Sequence, residues 1–140
     1  MYCVVRIRGT VNVSPKAKKT LEMLNLRRAN NASVWLETNQ AKKMIKLVDH
    51  MITFGKIDDS TLEELITKRG EAVEGKLDVK KVMEGLKSGK TANQVGLVNC
   101  FRLNPPKGGF ERKGVKVPYG MGGAYGNRKN DMSELVKKMI

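Results

Sequence analysis

Between Pro105 and Gly126 the chain carries seven glycines and three of its four prolines. Glycine raises the entropy lost on ordering, and proline removes a backbone donor. No long helix or central strand can run through such a stretch. The wider window from Lys87 to Asn130 holds nine basic residues, Lys87, Lys90, Arg102, Lys107, Arg112, Lys113, Lys116, Arg128 and Lys129, against the single acid Glu111. A solvated loop is the ordinary fate of a charge run. Loops of this length inside a domain are uncommon unless they serve a function or stay disordered. An extended, positively charged segment with bare backbone suits a polyanion, and nucleic acid is the commonest such partner. The scarcity of apolar residues predicts that 105–126 lacks a fixed structure in the free protein and orders on RNA.

Charge is spread unevenly along the 140 residues, whose formal net charge is +13. Residues 1–57 hold eleven Lys or Arg and three acids, whereas residues 58–86 hold five and eight. Two basic blocks therefore flank a mildly acidic middle, which predicts two surfaces facing one polyanion. Cys3 and Cys100 stand alone, and with His50 as the only histidine they cannot make the usual zinc sets. They read as free thiols in a reducing compartment. The apolar run Cys3-Val4-Val5 is broken at once by Arg6, so no signal peptide is expected, and no run approaches membrane-spanning length.

The elements follow from periodicity. Tyr2 to Arg8 reads as a strand with Cys3, Val5 and Ile7 on its apolar face. Ser14-Pro15 opens a helix, Ser14 as cap and Pro15 where its missing N–H costs nothing; Ala17, Leu21 and Leu24 form its stripe. Lys16, Lys18 and Lys19 crowd the first turn, the wrong sign for the helix dipole, which fits equally an outside anion there or surface charge without a role. Ala32 to Glu37 reads as a second strand, Thr38 caps a helix from Asn39 to about His50, and Met51 to Phe54 is a third strand closed by Gly55. A sheet with both helices on one face is the simplest solution. Beyond it, Ser60-Thr61-Leu62-Glu63 reads as a capping box opening helix 60–69. Helices 78–87 and 130–139 follow, with a fourth strand from Val98 to Leu103 between them.

Several motifs fail. Gly70 to Lys76 matches most of a phosphate loop, but Leu77 stands where the magnesium-binding hydroxyl belongs, and Glu71 and Glu74 would repel phosphate. Gly120-Met121-Gly122 begins a dinucleotide fingerprint, yet Tyr125 occupies the place of its last glycine. His50 has no nucleophile or orienting partner in the pattern, so nothing supports an enzyme, a metal, a cofactor or a small-molecule substrate. The run Phe101-Arg102-Leu103-Asn104-Pro105-Pro106-Lys107-Gly108-Gly109-Phe110 holds together chemically. A strand delivers an arginine, two prolines stiffen the exit, and Lys-Gly-Gly lets backbone approach a phosphate.

That run, with Arg8-Gly9-Thr10-Val11-Asn12, Thr20 to Leu26, Phe54-Gly55, Thr67 to Gly70 and Gly126-Asn127-Arg128, resembles the archaeal members of the "L thirty" family of large-subunit ribosomal proteins, whose eukaryotic counterpart is "L seven". The resemblance implies an α+β fold: a ferredoxin-like βαβαβ core over 1–57, with a three-stranded antiparallel sheet and two helices on one face. A helical and extended basic C-terminal half, 58–140, including the segment 104–129, is expected to form one unit with it. It implies a cytoplasmic, structural role in the large subunit, with 23S rRNA on the 5S rRNA side and neighbouring ribosomal proteins as partners. The residues carried into RNA contact are Arg8, Asn12, Lys16, Lys19, Arg27, Arg28, Lys42, Lys43, Arg102, Lys107, Gly108, Gly109, Arg112, Lys113, Lys116, Asn127 and Arg128. Related proteins tend to show Arg-Gly where this chain has Lys42-Lys43, so charge is kept and a small residue lost. A free-standing RNA- or DNA-binding regulator is the alternative that charge alone leaves open.

Overall fold

The computed structural model describes residues 1–75 and 78–140. Lys76 and Leu77, the end of the failed phosphate-loop match, lie outside the described residues. Strand β1 (Tyr2–Arg6) is central and pairs antiparallel with β2 (Asn31–Trp35) and β3 (Ile52–Lys56). Tyr2 stands opposite Trp35 on one side and Lys56 on the other. Helix α1 (Pro15–Met23) joins β1 to β2, and α2 (Asn39–Leu47) joins β2 to β3. Both caps form as the sequence predicts: the Ser14 hydroxyl accepts from Ala17 N–H and the Thr38 hydroxyl from Ala41 N–H. Helix α2 stops short of His50, and a 3₁₀ turn over Asp49–Met51 leads into β3.

Among the described residues the sheet has five strands, one added at each edge of the three-stranded core. The short β4 (Phe101–Arg102) adds antiparallel outside β2, and β5 (Gly126–Lys129) adds parallel outside β3, giving the order β4-β2-β1-β3-β5. Gly55 does not close β3 but lies within it. A Cβ there would stand 2.4 Å from the Lys129 carbonyl oxygen and 2.8 Å from Met132 Cβ, so the parallel strand and the following helix require a glycine.

Both faces of the sheet are buried, which corrects the reading of β1. Helices α1 and α2 do share one face, but it is the face of Val4, packed with Ala17, Leu21, Leu24, Ile45 and Val48. Cys3, Val5 and Ile7 line the opposite face with Ala32 and Val34. Three further helices cover it: α3 (Asp59–Arg69) through Leu62, Leu65 and Ile66, α4 (Val79–Lys87) through Val82 and Leu86, and α5 (Met132–Met139) through Met132, Leu135, Val136 and Met139. A strand buried on both sides shows an apolar run, as Cys3-Val4-Val5 does, rather than clean alternation.

The capping box at Ser60 does not form. Helix α3 begins at Asp59, after Asp58, whose N–H donates to the Ser133 hydroxyl 3.1 Å away on α5. A tertiary contact thus fixes the helix start ahead of the local motif. A 3₁₀ turn over Ala92–Val95 follows α4, and there the Gln94 side chain accepts from Thr91 N–H.

The segment 104–129 is not an extended arm. It leaves β4 beside α5, where Asn104 N–H donates to the Met139 carbonyl and Lys107 N–H to that of Lys138. It then turns back on itself: Lys113 N–H meets the Gly122 carbonyl, and Ala124 N–H meets that of Val117. The glycines serve these reversals. Gly108, Gly109, Gly114 and Gly122 all have φ near +80°, a region glycine enters without penalty. Phe110, Val115 and Tyr125 pack against the core under α5, and Ala124 is wholly buried. These scattered anchors offset the ordering entropy that the composition suggested would win.

Candidate nucleic-acid interface

Arg6 is only 2% exposed although it carries a charge. Its Nε donates to the Arg8 carbonyl, and its Nη1 donates to the carbonyls of Leu26 and Arg27, each at 2.8 Å. Burial pulls its pKa down, yet an arginine starts so high that it stays charged. One guanidinium therefore ties together the chain leaving β1 and the turn leading into β2. Arg8, Arg27 and Arg28 project from these tied segments, and Arg8 Nη1 donates to the His50 carbonyl at 3.2 Å.

The pairing of Asn31 with Arg102 brings β4's arginine to the same end of the sheet. Leu103 N–H donates to the Asn30 carbonyl, which holds the exit towards Lys107 there too. Cys100 lies between these charges: burial raises its pKa, Arg102 and Arg27 lower it, and Glu71 raises it. Asn12, with φ +57°, sits in the exposed loop before α1, beside a Val11 that is 85% exposed. A cavity of about 530 Å³ opens along that loop, lined by Arg8, Asn12, Ser14 and His50 among others. Lys16 and Lys19 are exposed on α1, whose first turn has no acid. Lys42 and Lys43 are exposed on α2, on the flank of the molecule rather than at this end. Lys107, Gly108, Gly109, Arg112, Lys113, Lys116 and Asn127 are exposed on the folded loop and β5. The Asn127 side-chain oxygen already accepts from Lys129 N–H.

Arg128 is the exception, and it leaves the expected set. It is 3% exposed and fully engaged inside the protein. Its Nη1 meets Glu111 at 2.7 Å, its Nε donates to the Thr53 hydroxyl at 2.9 Å, and its guanidinium lies 4.5 Å from the centre of the Tyr119 ring. The resemblance over Gly126-Asn127-Arg128 placed this arginine among the RNA contacts, but β5 carries it under the loop. Sequence reasoning also passed over Arg6; a charge inside the run Val4-Val5-Arg6-Ile7 was the available signal.

Ion pairing divides the cations into two groups. Glu37, Glu64, Asp78 and Asp59 pair with Lys56, Lys68, Lys81 and Lys87, none of them an expected RNA contact. Among the described residues, no carboxylate lies within 4.0 Å of the charged groups of Arg8, Lys16, Lys19, Arg27, Arg28, Lys42, Lys43, Arg102, Lys107, Arg112, Lys113 or Lys116. Exposed cations left without internal partners can each take a phosphate.

The model of the family "Ribosomal protein L30p/L7e" matches residues 2–52, from β1 to the first residue of β3. Likeness extends over the whole chain. A large ribosomal subunit protein uL30 of Methanococcus maripaludis is 35% identical, with 99% of each chain covered. That of Aeropyrum pernix is 37% identical over 100% of this chain and 99% of its own, and that of Nanoarchaeum equitans is 33% identical over the same shares. The chain belongs to the uL30 family. Its uL30 likeness takes in both the β1-to-β3 unit and the second half that supplies β4, β5 and three helices. The α+β, ferredoxin-like core expected of a uL30 chain is present, enlarged by one strand at each edge.

Proposed function

We infer that this protein is a non-catalytic, structural constituent of the large ribosomal subunit, working in the cytoplasm and bracing rRNA through phosphate contacts. The observation that carries this reading is the match along almost the full length to proteins named as large-subunit components. The free cations support the mode of binding: they lie on exposed surfaces while the acids pair elsewhere. The principal contact is the end of the sheet bearing Arg8, Arg27, Arg28 and Arg102, continued by Lys107, Arg112, Lys113 and Lys116. Gly108 and Gly109 let backbone approach a phosphate there. Lys42 and Lys43 serve a second, flanking contact. Phosphate contacts of this kind fix orientation without reading sequence. The partners are 23S rRNA, on the side facing 5S rRNA, and neighbouring large-subunit proteins. Residues 1–57 and 58–140 act as one unit, because strands of the second half border strands of the first.

Sedimentation of a lysate through a sucrose gradient tests this. The protein is expected in the large-subunit fractions and released as salt is raised. A chain that stays at the top of the gradient at low salt would instead be a free-standing nucleic-acid binder.

A further inference from the structure

Strand β4 covers only the first part of β2, pairing with Asn31 and Ala32. Beyond it the edge of β2 is finished by a side chain. Asn99 is 6% exposed; its Oδ1 accepts from Val34 N–H and its Nδ2 donates to the Val34 carbonyl, both at 2.8 Å. An amide side chain thus replaces one residue of a neighbouring strand. Among the described residues no strand continues this edge past Asn99, and a cavity of about 300 Å³ opens between the end of β2, the end of α4 and the turn after it.

The lining is chemically pointed. Trp35 and Leu86 supply apolar surface, Gln40 and Asn93 supply exposed amides, and Lys90 is the only charged side chain in it among the described residues; Met1 also lines it, its N-terminal amine 3.8 Å from Glu37. The Trp35 indole N–H is already committed to the Ser33 hydroxyl at 2.9 Å, so what remains for a ligand is the ring. A cavity of this size is at the small end of ligand pockets. A flat aromatic surface, amides able to donate and accept, and a lysine without a carboxylate partner among the described residues suit an unstacked nucleotide: base inside, phosphate at the lysine.

We propose that this cavity receives one splayed-out nucleotide of the rRNA, its base against Trp35 and its phosphate near Lys90. The inference rests on the rRNA-bracing reading above and adds to it a contact that senses a base. It gives the protein one stacking position in an interface otherwise built on phosphates. An apolar side chain of a neighbouring protein would use the ring but leave Lys90 and the exposed amides of Gln40 and Asn93 without a role, so RNA is favoured.

Trp35 is the only tryptophan, so tryptophan emission comes from a residue in this cavity's wall. The full-length protein is titrated with ribonucleoside 5′-monophosphates, with free nucleosides and inorganic phosphate as controls. A saturable fall in emission is expected from the nucleotides. In Lys90→Glu the midpoint should move at least about threefold higher for nucleotides and stay put for nucleosides, since only the phosphate meets the lysine. Asn93→Phe, which fills the mouth from an exposed position, should abolish the response. No saturable response to any nucleotide, or an equal response to phosphate alone, overturns the proposal. Ultraviolet cross-linking of assembled large subunits decides separately. Adducts to RNA within 34–40 or 90–93 are expected, and cross-links from these residues to protein only would assign the cavity to a protein neighbour. A protein that sediments with the large subunit yet fails these tests loses this inference alone; one that fails to sediment loses the parent reading.

Discussion

Replacing Arg128 by Met separates an internal role from an RNA contact. The variant keeps the apolar stem and deletes the guanidinium. It strips the Thr53 hydroxyl of its 2.9 Å donor and Glu111 of its 2.7 Å partner. It also removes the cation 4.5 Å from the Tyr119 ring. Breaking a fully buried pair typically costs about 3–5 kcal/mol. Glu111 is 35% exposed, so water screens that half and the loss is discounted to about 2–3 kcal/mol. For a chain of this size that corresponds to a fall in melting temperature of roughly 6–12 °C. Glu111→Gln should lose less, about 1–2 kcal/mol, because Thr53 and the Ala124 carbonyl still hold the arginine. The double variant should cost clearly less than the two losses added, by about 1 kcal/mol or more, since the residues share one contact. Calorimetry of the free protein measures all three. If Arg128→Met melted within about 1 °C of the parent while its binding to an rRNA fragment lost roughly one unit of salt slope, Arg128 would be a phosphate contact and its burial here would be wrong.

Arg6→Met should destabilise by about 2–4 kcal/mol, because the carbonyls of Arg8, Leu26 and Arg27 lose their donor. It should also weaken rRNA binding without touching RNA; retained affinity under conditions where the variant is folded would refute its role in positioning Arg8 and Arg27. Lys107→Ala should lower the salt slope of binding by roughly one unit and leave sequence preference unchanged, whereas Gly108→Val, at φ +83°, should be worse than any single charge loss because valine is strained there. A salt titration compares the two. Burial pushes the Cys3 thiol up to about 12. The folded state therefore keeps a proton that the unfolded chain gives up near the ordinary thiol value. The stability this supplies is complete below that value and is lost at about 1.4 kcal/mol per pH unit as pH rises from roughly 9 towards 12. Unfolding of Cys3→Ala, followed by denaturant at alkaline pH, should show a shallower decline than the parent.

The three central strands, both capped helices and the existence of α3, α4 and α5 were legible in the sequence, because each depends on local spacing. Two kinds of feature were not. β5 is four residues long and pairs parallel with a strand far back in the chain, so its only trace in β3 is the glycine at position 55 that makes room for it. The fold of 105–126 depends on a few anchors, such as Phe110 and Ala124, whose worth is set by what α5 presents to them. At the interface, arginine spacing identified cations but could not tell inside from outside. Arg8 and Arg128 look alike in the sequence, and only the completed sheet separates them.

The two covered faces of the sheet are finished at different moments of synthesis. Residues 1–57 contain everything needed to close the Val4 face, since α1 and α2 lie between the strands they cover. The face of Cys3, Val5, Ile7, Ala32 and Val34 has no cover in that stretch. At ordinary elongation rates the remaining residues take roughly ten seconds to emerge. For that interval the nascent chain holds out an apolar β-surface with both edges unpaired. A polypeptide released early, or one whose α5 is damaged, would present the same surface permanently, and is better suited to chaperones or aggregates than to assembly.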